Sequence, residues 1–238
     1  MSEKIFRAST LNVKDLKKQR NRILALVNRA IREKNDVDLI SLTKVYALLY
    51  SAYAEMSFLK LIHTPKAFSE SEILQIVNRR NLEEKWEKCV EFAFKKLNLD
   101  ANLGDIANKK QTLRKILMEY IIKPSQIRNK VAHGQWIICL NNDCTQENKE
   151  ITSNMQQLDF VRIDRYFSIY EKFQQCILDL SVSKKTHYRD YYIIITDLEK
   201  YIDSTELWSL ETKKQKILSS RKYQRYQIQK NLNNRNID

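Results

Sequence analysis

Glycine and proline are almost missing from this chain, since its 238 residues contain only two of each. Sheet architectures turn at short, regular intervals, and glycine and proline are the residues that most tight turns require. A chain with so few of them makes few turns. Its hydrophobic residues recur instead at helical spacing over long segments, so the sequence predicts an all-α fold.

Helical periodicity divides the chain into a bundle and an extension. Predicted helices cover residues 11–34, after possible caps at Ser9 and Thr10, and then residues 39–62, 70–80, 86–98, 113–121, 157–182, 188–201 and 207–232. Segment 39–62 is the most apolar and is predicted to be the central helix of the bundle. Residues 100–108, which include Gly104, are predicted to form a loop or a short turn. We expect one helical bundle over residues 1–182 and a basic helical extension over residues 183–238, packed on the bundle or projecting from it.

The net charge of +13 indicates attraction to polyanions, without separating nucleic acid from an acidic protein or a membrane surface. Lys17, Lys18 and Arg22 belong to a basic side of the first predicted helix. That side is either an ordinary solvated face or a strip that faces RNA. These three residues are therefore candidates for RNA binding.

The four cysteines are scattered, without a CxxC pair or neighbouring histidines. This pattern predicts neither a metal site nor a disulfide framework, and no sequence feature implies a cofactor. The N-terminal residues lack the apolar segment of a signal peptide, and no apolar run has the length of a membrane span. We therefore expect a cytoplasmic protein with no membrane partner.

The segment from Ile127 to Gly134 brings an arginine, an asparagine and a histidine within six residues. On a helix that advances about 100° per residue, Arg128, Asn129 and His133 lie within an arc of about 140°, and Ile127 faces away from it. The apolar side of this helix is then buried, while the polar set offers a surface for a ligand.

Local signals predict where this helix begins and ends. Pro124 suits the first turn of a helix, and Gly134 suits the position directly after its end, which places His133 in the last turn. Beyond it, the β-branched segment 136–140 is predicted to pair with residues 150–155 in a small β-hairpin. Trp136 either packs under this hairpin or stacks on an RNA base.

The arrangement of Arg128, Asn129 and His133 in a basic helical chain resembles the HEPN family, whose hallmark is an arginine, four to six residues and a histidine. The resemblance is local to residues 125–136. It implies a compact helical bundle that dimerises and joins two copies of the motif in one cleft. Many members are metal-independent RNA endonucleases of toxin, antiphage and CRISPR systems. Some family toxins carry a tyrosine two residues after the histidine as an adenylation site, but this chain has Gln135 there.

Chemistry supports the same hypothesis. RNA carries its own nucleophile, the 2′-hydroxyl, so cleavage needs proton transfer and stabilisation of phosphate charge. The resemblance assigns these catalytic roles to His133 and Arg128, and Asn129 is suited to orient the imidazole or the substrate. Lys130 and Trp136 are further RNA-binding candidates. We expect RNA as the substrate, a homodimer with a composite site, and an antitoxin or defence-system protein as a possible partner.

Two other functions remain open at this stage. One is a non-catalytic module that binds RNA or protein through the same fold, and the other is a nucleotide-sensing subunit in which Arg128 and His133 hold phosphates. In addition, His133 is open to a purely structural interpretation, as a helix-end histidine beside a surface ion pair of Arg128.

Overall fold

The structure, a computed structural model, describes residues 2–96, 103–182, 187–221, 223–225 and 227–228. The α-helices of this part are α1 (Ser2–Glu33), α2 (Asp36–Ile62), α3 (Glu70–Val77), α4 (Leu82–Lys95), α5 (Leu103–Leu117), α6 (Lys123–Ala132), α7 (Lys149–Gln156), α8 (Phe160–Val182), α9 (His187–Ser204) and α10 (Leu210–Leu218). No strand occurs among the described residues, so this part of the chain is all-α, as predicted.

Helices α1 and α2 pack against each other as a helical hairpin. They are joined by Lys34, which has a φ of 55°, and by Asn35, whose side chain accepts a hydrogen bond from the backbone N–H of Asp38. The predicted caps of the first helix were wrong, because α1 already begins at Ser2. Ser9 lies inside it and donates its hydroxyl to the carbonyl of Ile5 at 2.7 Å, a bond within the helix that replaces the capping role.

Helix α2 is central, as predicted, since it packs against α1, α6 and α8. Its aromatic residues meet those of α4 and α8 in the core. Tyr46 lies 5.0 Å from Phe167, and Trp86 lies 4.5 Å from Phe58, measured between ring centroids. These large rings are fully buried or nearly so, and they provide much of the apolar area that stabilises the bundle.

A partly buried polar network joins α1, α2 and α8. Arg20 donates to Tyr46 at 3.1 Å and to Asp164 at 2.8 Å, and Tyr46 itself donates to Asp164 at 2.6 Å. Burial raises the pKa of Tyr46 above its ordinary value, so the phenol stays protonated and remains a donor. These hydrogen bonds pair the charges of Arg20 and Asp164 within the network, and they fix the three helices relative to one another.

Pro124 lies in the first turn of α6, as predicted, although no break in the helical path precedes this helix. The five-residue π-helical segment Met118–Ile122 joins α5 directly to α6, and the helical path runs on through Pro124. A proline inside a helix leaves one carbonyl without its usual donor, and the wider π turn accommodates that loss. The loop or short turn predicted around Gly104 was wrong where the structure describes it, because Gly104 lies in α5; residues 97–102 are outside the described part.

The predicted hairpin after α6 is not formed as expected. Among the described residues, the β-type pairing there is an isolated antiparallel bridge between Leu140 and Glu147. The segment proposed as the second strand is helix α7 instead. Asn148 caps it by accepting the backbone N–H of Ile151 at 3.0 Å, and this local bond selects helix over strand.

The helices that follow residue 187 pack onto the bundle. Ile195, Leu198 and Ile202 of α9 are buried in the same core as α8, and α10 packs against α1 and α8. The predicted boundary at residue 183 and the end of the last predicted helix, residues 229–232, lie outside the described residues. Within the described part, no helix combines the length and the apolar character that crossing a bilayer demands.

Candidate active site

The end of helix α6 is fixed by backbone hydrogen bonds around Gly134. The N–H of Gln135 donates to the carbonyl of Lys130 at 2.9 Å, and the N–H of Gly134 donates to Val131 at 3.1 Å. This pair of bonds is a Schellman motif, which needs a residue with positive φ directly after the cap. Gly134 has a φ of +76° and His133 is the C-cap, so the predicted helix end is confirmed.

Arg128 points inward and is 92% buried, since its exposed fraction is 8%. Its Nη1 donates to the Ser51 carbonyl at 3.2 Å, to Ser51 Oγ at 2.5 Å and to Glu55 Oε1 at 2.8 Å. Its Nε is buried and makes no hydrogen bond. Arg128 therefore ties α6 to α2, and its guanidinium keeps a donor that no protein group uses.

Asn129 and His133 lie on the outer side of α6 and are exposed. Among the described residues, no hydrogen bond of the His133 imidazole is found. Lys130 is half-buried. The predicted outward surface is correct for Asn129 and His133 but wrong for Arg128, which lies at the inner edge of the arc of about 140° and faces the bundle.

Arg128 also lines a cavity between α2, α4 and the π-helical segment, here called the Arg128 cavity, with a volume of about 350 Å³. Its charged lining residues are Glu55, Lys85 and Arg128. Its walls are apolar and aromatic, and they include Met56, Phe58, Leu59, Leu82, Trp86 and Ile121. The cavity combines a mostly apolar interior with a few charged groups, which is the usual character of small-molecule sites.

Trp136 is partly packed against the end of α6 and partly exposed. Its indole N–H donates to the Val131 carbonyl at 2.8 Å, which fixes the ring against the end of α6. The residue is nevertheless 41% exposed, and the Lys44 ammonium lies 5.0 Å from the ring centroid. With its neighbours Ile137 and Ile138, which are also exposed, Trp136 forms an apolar surface beside His133.

The candidates on α1 lie apart from the motif. Lys17, Lys18 and Arg22 are exposed, but Lys17 pairs with Glu171 at 3.1 Å and lies near the Tyr53 ring. Tyr53 faces α1 and α8, whereas Ser51, two positions away and about 200° around the helix, holds Arg128. The structure thus brings Arg128, Asn129 and His133 onto one helix, but places the basic side of α1 on the opposite face of α2.

No family model, curated protein or solved structure matches this chain. The site is therefore assigned from its own residues. Within the described part, no group of three or more histidine, cysteine or acidic residues is arranged as a metal site. Burial raises the pKa of the Cys176 thiol to about 12 and also raises that of Cys89, so neither thiol is ionised at neutral pH.

Ser51 and Lys85 are site residues that sequence reasoning missed, whereas the polar position of Glu55 in the central helix is open, from sequence, either to line the cleft or to face solvent. The side chain of Glu55 is 57% exposed, yet it pairs with the buried Arg128. One local signal exists, because Ser51 and Glu55 are four positions apart and share a helix face. This spacing does not predict the partner of Ser51 and Glu55, because Arg128 lies more than 70 positions further along the chain.

Proposed function

We propose that this protein is a metal-independent endoribonuclease of HEPN type, with an HEPN-like bundle as its fold. The observation that carries the proposal is the arrangement at the end of α6. A fixed, exposed histidine without a hydrogen bond to the described chain lies on the same helix as a buried arginine that keeps an unused donor. Proton transfer and phosphate binding are the two tasks that RNA cleavage requires.

In the proposed reaction, His133 accepts the proton of the 2′-hydroxyl, and the 2′-oxygen attacks the adjacent phosphorus. The bond from phosphorus to the 5′-oxygen breaks, and the leaving oxygen takes a proton. The products are a 2′,3′-cyclic phosphate and a 5′-hydroxyl end. Arg128 stabilises the charge on the phosphate oxygens through donors other than Nη1. Nη1 itself is held by its hydrogen bonds to Ser51 and Glu55. Asn129, exposed beside His133, positions the imidazole or the ribose.

A second copy of the chain completes the proposed site. Each chain has one histidine in the motif, so the acid and base roles are divided between two subunits. The apolar surface of Trp136, Ile137 and Ile138 lies directly after the motif and is exposed in the single chain. Covering it with a second copy buries this surface and brings the two motifs together.

The setting proposed for this activity is a toxin or a phage-defence effector of the cytoplasm. A nuclease that cuts cellular RNA needs restraint, so an antitoxin or another defence-system protein is the proposed regulatory partner. The net charge of +13 supports RNA as the substrate, because a strongly basic protein attracts a polyanion.

The second candidate is a binding module without catalysis, for RNA, protein or nucleotide. The observation in its favour is the burial of Arg128, whose pairing with Glu55 already satisfies one side of the guanidinium. Such a module binds RNA in a salt-dependent manner and releases no products.

The deciding experiment incubates total cellular RNA and EDTA with the wild type, with Arg128→Ala and with His133→Ala. Gln126→Ala is the matched control, because Gln126 is exposed on the same helix outside the motif. We expect cleavage by the wild type and the control, and none by the two motif variants, all four having the same circular dichroism spectrum. Cleavage by both motif variants, or none by the wild type, contradicts the proposal.

A further inference from the structure

The Arg128 cavity carries two cationic groups and one carboxylate on otherwise apolar walls. Glu55 neutralises part of the Arg128 charge at 2.8 Å, and Lys85 forms no ion pair within the described residues. The lining therefore has one cation in excess. A ligand that fits these groups has an anionic end for Lys85 and Arg128 and an uncharged, apolar body for the interior.

The size of the cavity restricts the ligand further. Its volume of about 350 Å³ is at the lower end of the range for small-molecule sites, roughly 300–1,000 Å³. A duplex or a folded segment does not enter such a space, whereas a single flat ring with its sugar does. Phe58 and Trp86, whose ring centroids lie 4.5 Å apart, are almost fully buried behind this wall, so the surface open to a ligand comes mainly from partly buried aliphatic residues such as Met56, Leu59 and Leu82. Apolar side chains also pack against the faces of bases that have left a stack.

The cavity lies next to the proposed catalytic motif, and this position suggests that the ring it takes is a base of the RNA substrate. Arg128 lines the cavity and, under the proposed function, contacts the scissile phosphate one turn before His133. A nucleotide joined to that phosphate is therefore adjacent to the cavity. Arg128 Nε is buried without a hydrogen-bond partner, so protein groups do not use all the donors of this guanidinium.

We propose that the Arg128 cavity binds one nucleotide of the RNA strand, with its base between the apolar walls and its phosphate at Lys85 and Arg128. This inference rests on the proposed function for the identity of the ligand, and it makes the cavity the place where a base is selected. Bases that fill the apolar interior are bound, and an abasic sugar phosphate is not.

The test measures nucleotide binding without cleavage. In a chain that carries Trp136→Phe and Trp208→Phe, Trp86 is the remaining tryptophan and reports on the cavity wall by its fluorescence. The probes are the four ribonucleoside 5′-monophosphates, with ribose 5-phosphate as the base-free control. We expect a saturable change in Trp86 emission with at least one nucleotide and no change with ribose 5-phosphate at the same concentration.

Two variants and one control localise the binding. Lys85→Ala is expected to weaken it about ten- to hundredfold, since a hydrogen bond to a charged group is lost. Ala54→Leu places a larger side chain at the cavity wall and is expected to abolish it. Lys14→Ala removes the same charge from an exposed position on α1 and is expected to leave binding unchanged.

Three results overturn the inference: no response to any nucleotide, equal binding of ribose 5-phosphate, or equal weakening by Lys14→Ala and Lys85→Ala. These outcomes are independent of cleavage. A protein that binds nucleotides in the cavity but never cuts RNA refutes the proposed nuclease and leaves the binding site. A protein that cuts RNA without these binding signals refutes the cavity site alone.

Discussion

Arg128 Nη1 lies 2.8 Å from Glu55 Oε1, and this contact joins the motif helix to the central helix of the bundle. The two side chains differ in environment, because that of Arg128 is 10% exposed and that of Glu55 is 57% exposed. A largely exposed carboxylate thus holds a buried guanidinium in one orientation. The orientation of the proposed phosphate-binding group depends on a residue outside the motif.

Removing Glu55 is therefore expected to affect both stability and cleavage. Glu55→Ala should lower the free energy of unfolding by about 1 kcal/mol, a value reduced from that of a buried charged hydrogen bond because solvent screens the exposed carboxylate. Cleavage should fall about tenfold, since Arg128 loses a fixed orientation. Urea unfolding and initial cleavage rates measure the two effects. Lys123→Ala disrupts the exposed pair of Lys123 with Glu119 and serves as the control that changes neither.

Gly134 gives a prediction about the helix end that presents His133. Its φ of +76° disfavours any residue with a side chain, although a Cβ there would meet no atom within 4 Å. Gly134→Ala should therefore cost about 1 kcal/mol from backbone strain alone, and Gly134→Asn should cost less because asparagine tolerates this region. Thermal or urea unfolding compares the two. Equal stability of all three proteins would mean that the Schellman ending does not hold the helix end in solution.

Salt dependence distinguishes the basic residues of α1. Lys18 is exposed without an ion pair among the described residues, whereas Lys17 pairs with Glu171. If α1 contacts RNA, Lys18→Ala should remove one phosphate contact. The slope of the logarithm of RNA affinity against the logarithm of salt concentration should then become shallower by about 0.7–0.9. Lys17→Ala should change it less. An unchanged slope for Lys18→Ala assigns this side of α1 to solvent, in agreement with its position opposite the motif.

His63 predicts a dependence of stability on pH. Burial lowers its pKa from the ordinary value of 6.5, and its Nδ1 lies 3.0 Å from Ser2 Oγ. As the pH falls below about 6.5, the unfolded chain takes up a proton that the folded imidazole still refuses. The contribution of His63 to the free energy of unfolding is therefore complete above that pH and is lost as the pH falls through the lowered pKa. The free energy of unfolding falls by no more than about 1.4 kcal/mol per pH unit from this residue.

Urea unfolding between about pH 8 and pH 5 tests this dependence. The free energy of unfolding should fall more steeply for the wild type than for His63→Gln, which cannot titrate. Parallel curves for the two proteins would show that burial of His63 does not change its protonation.

The sequence predicted what local interactions decide. Helix α3 begins at residue 70, as predicted, where Ser69 and Glu72 form a capping box, and α6 ends just before the expected glycine. Both features depend on residues within a few positions of each other. Helix α7 was missed as a helix because its β-branched residues also suit a strand, and the Asn148 cap decided between the two.

The sequence predicted that Arg128 faces outward together with Asn129 and His133, and for Arg128 this was wrong, because the residue is buried. Helical geometry limits Arg128 and His133 to an arc but does not determine which edge of that arc is buried. Ser51 and Glu55 on α2 determine this direction, because both accept hydrogen bonds from the Arg128 guanidinium. The cavity beside Arg128 was equally hidden, because its walls come from several helices that are distant in sequence.

The central claim is that the ribose 2′-hydroxyl is the nucleophile in a reaction arranged by Arg128 and His133. The most direct measurement uses a short RNA that contains a mapped cleavage site, paired with the same RNA carrying a single 2′-deoxy residue on the 5′ side of that site. In EDTA, the account predicts a 2′,3′-cyclic phosphate end from the first RNA and no cleavage at that position in the second. Cleavage of both RNAs at equal rates would contradict it.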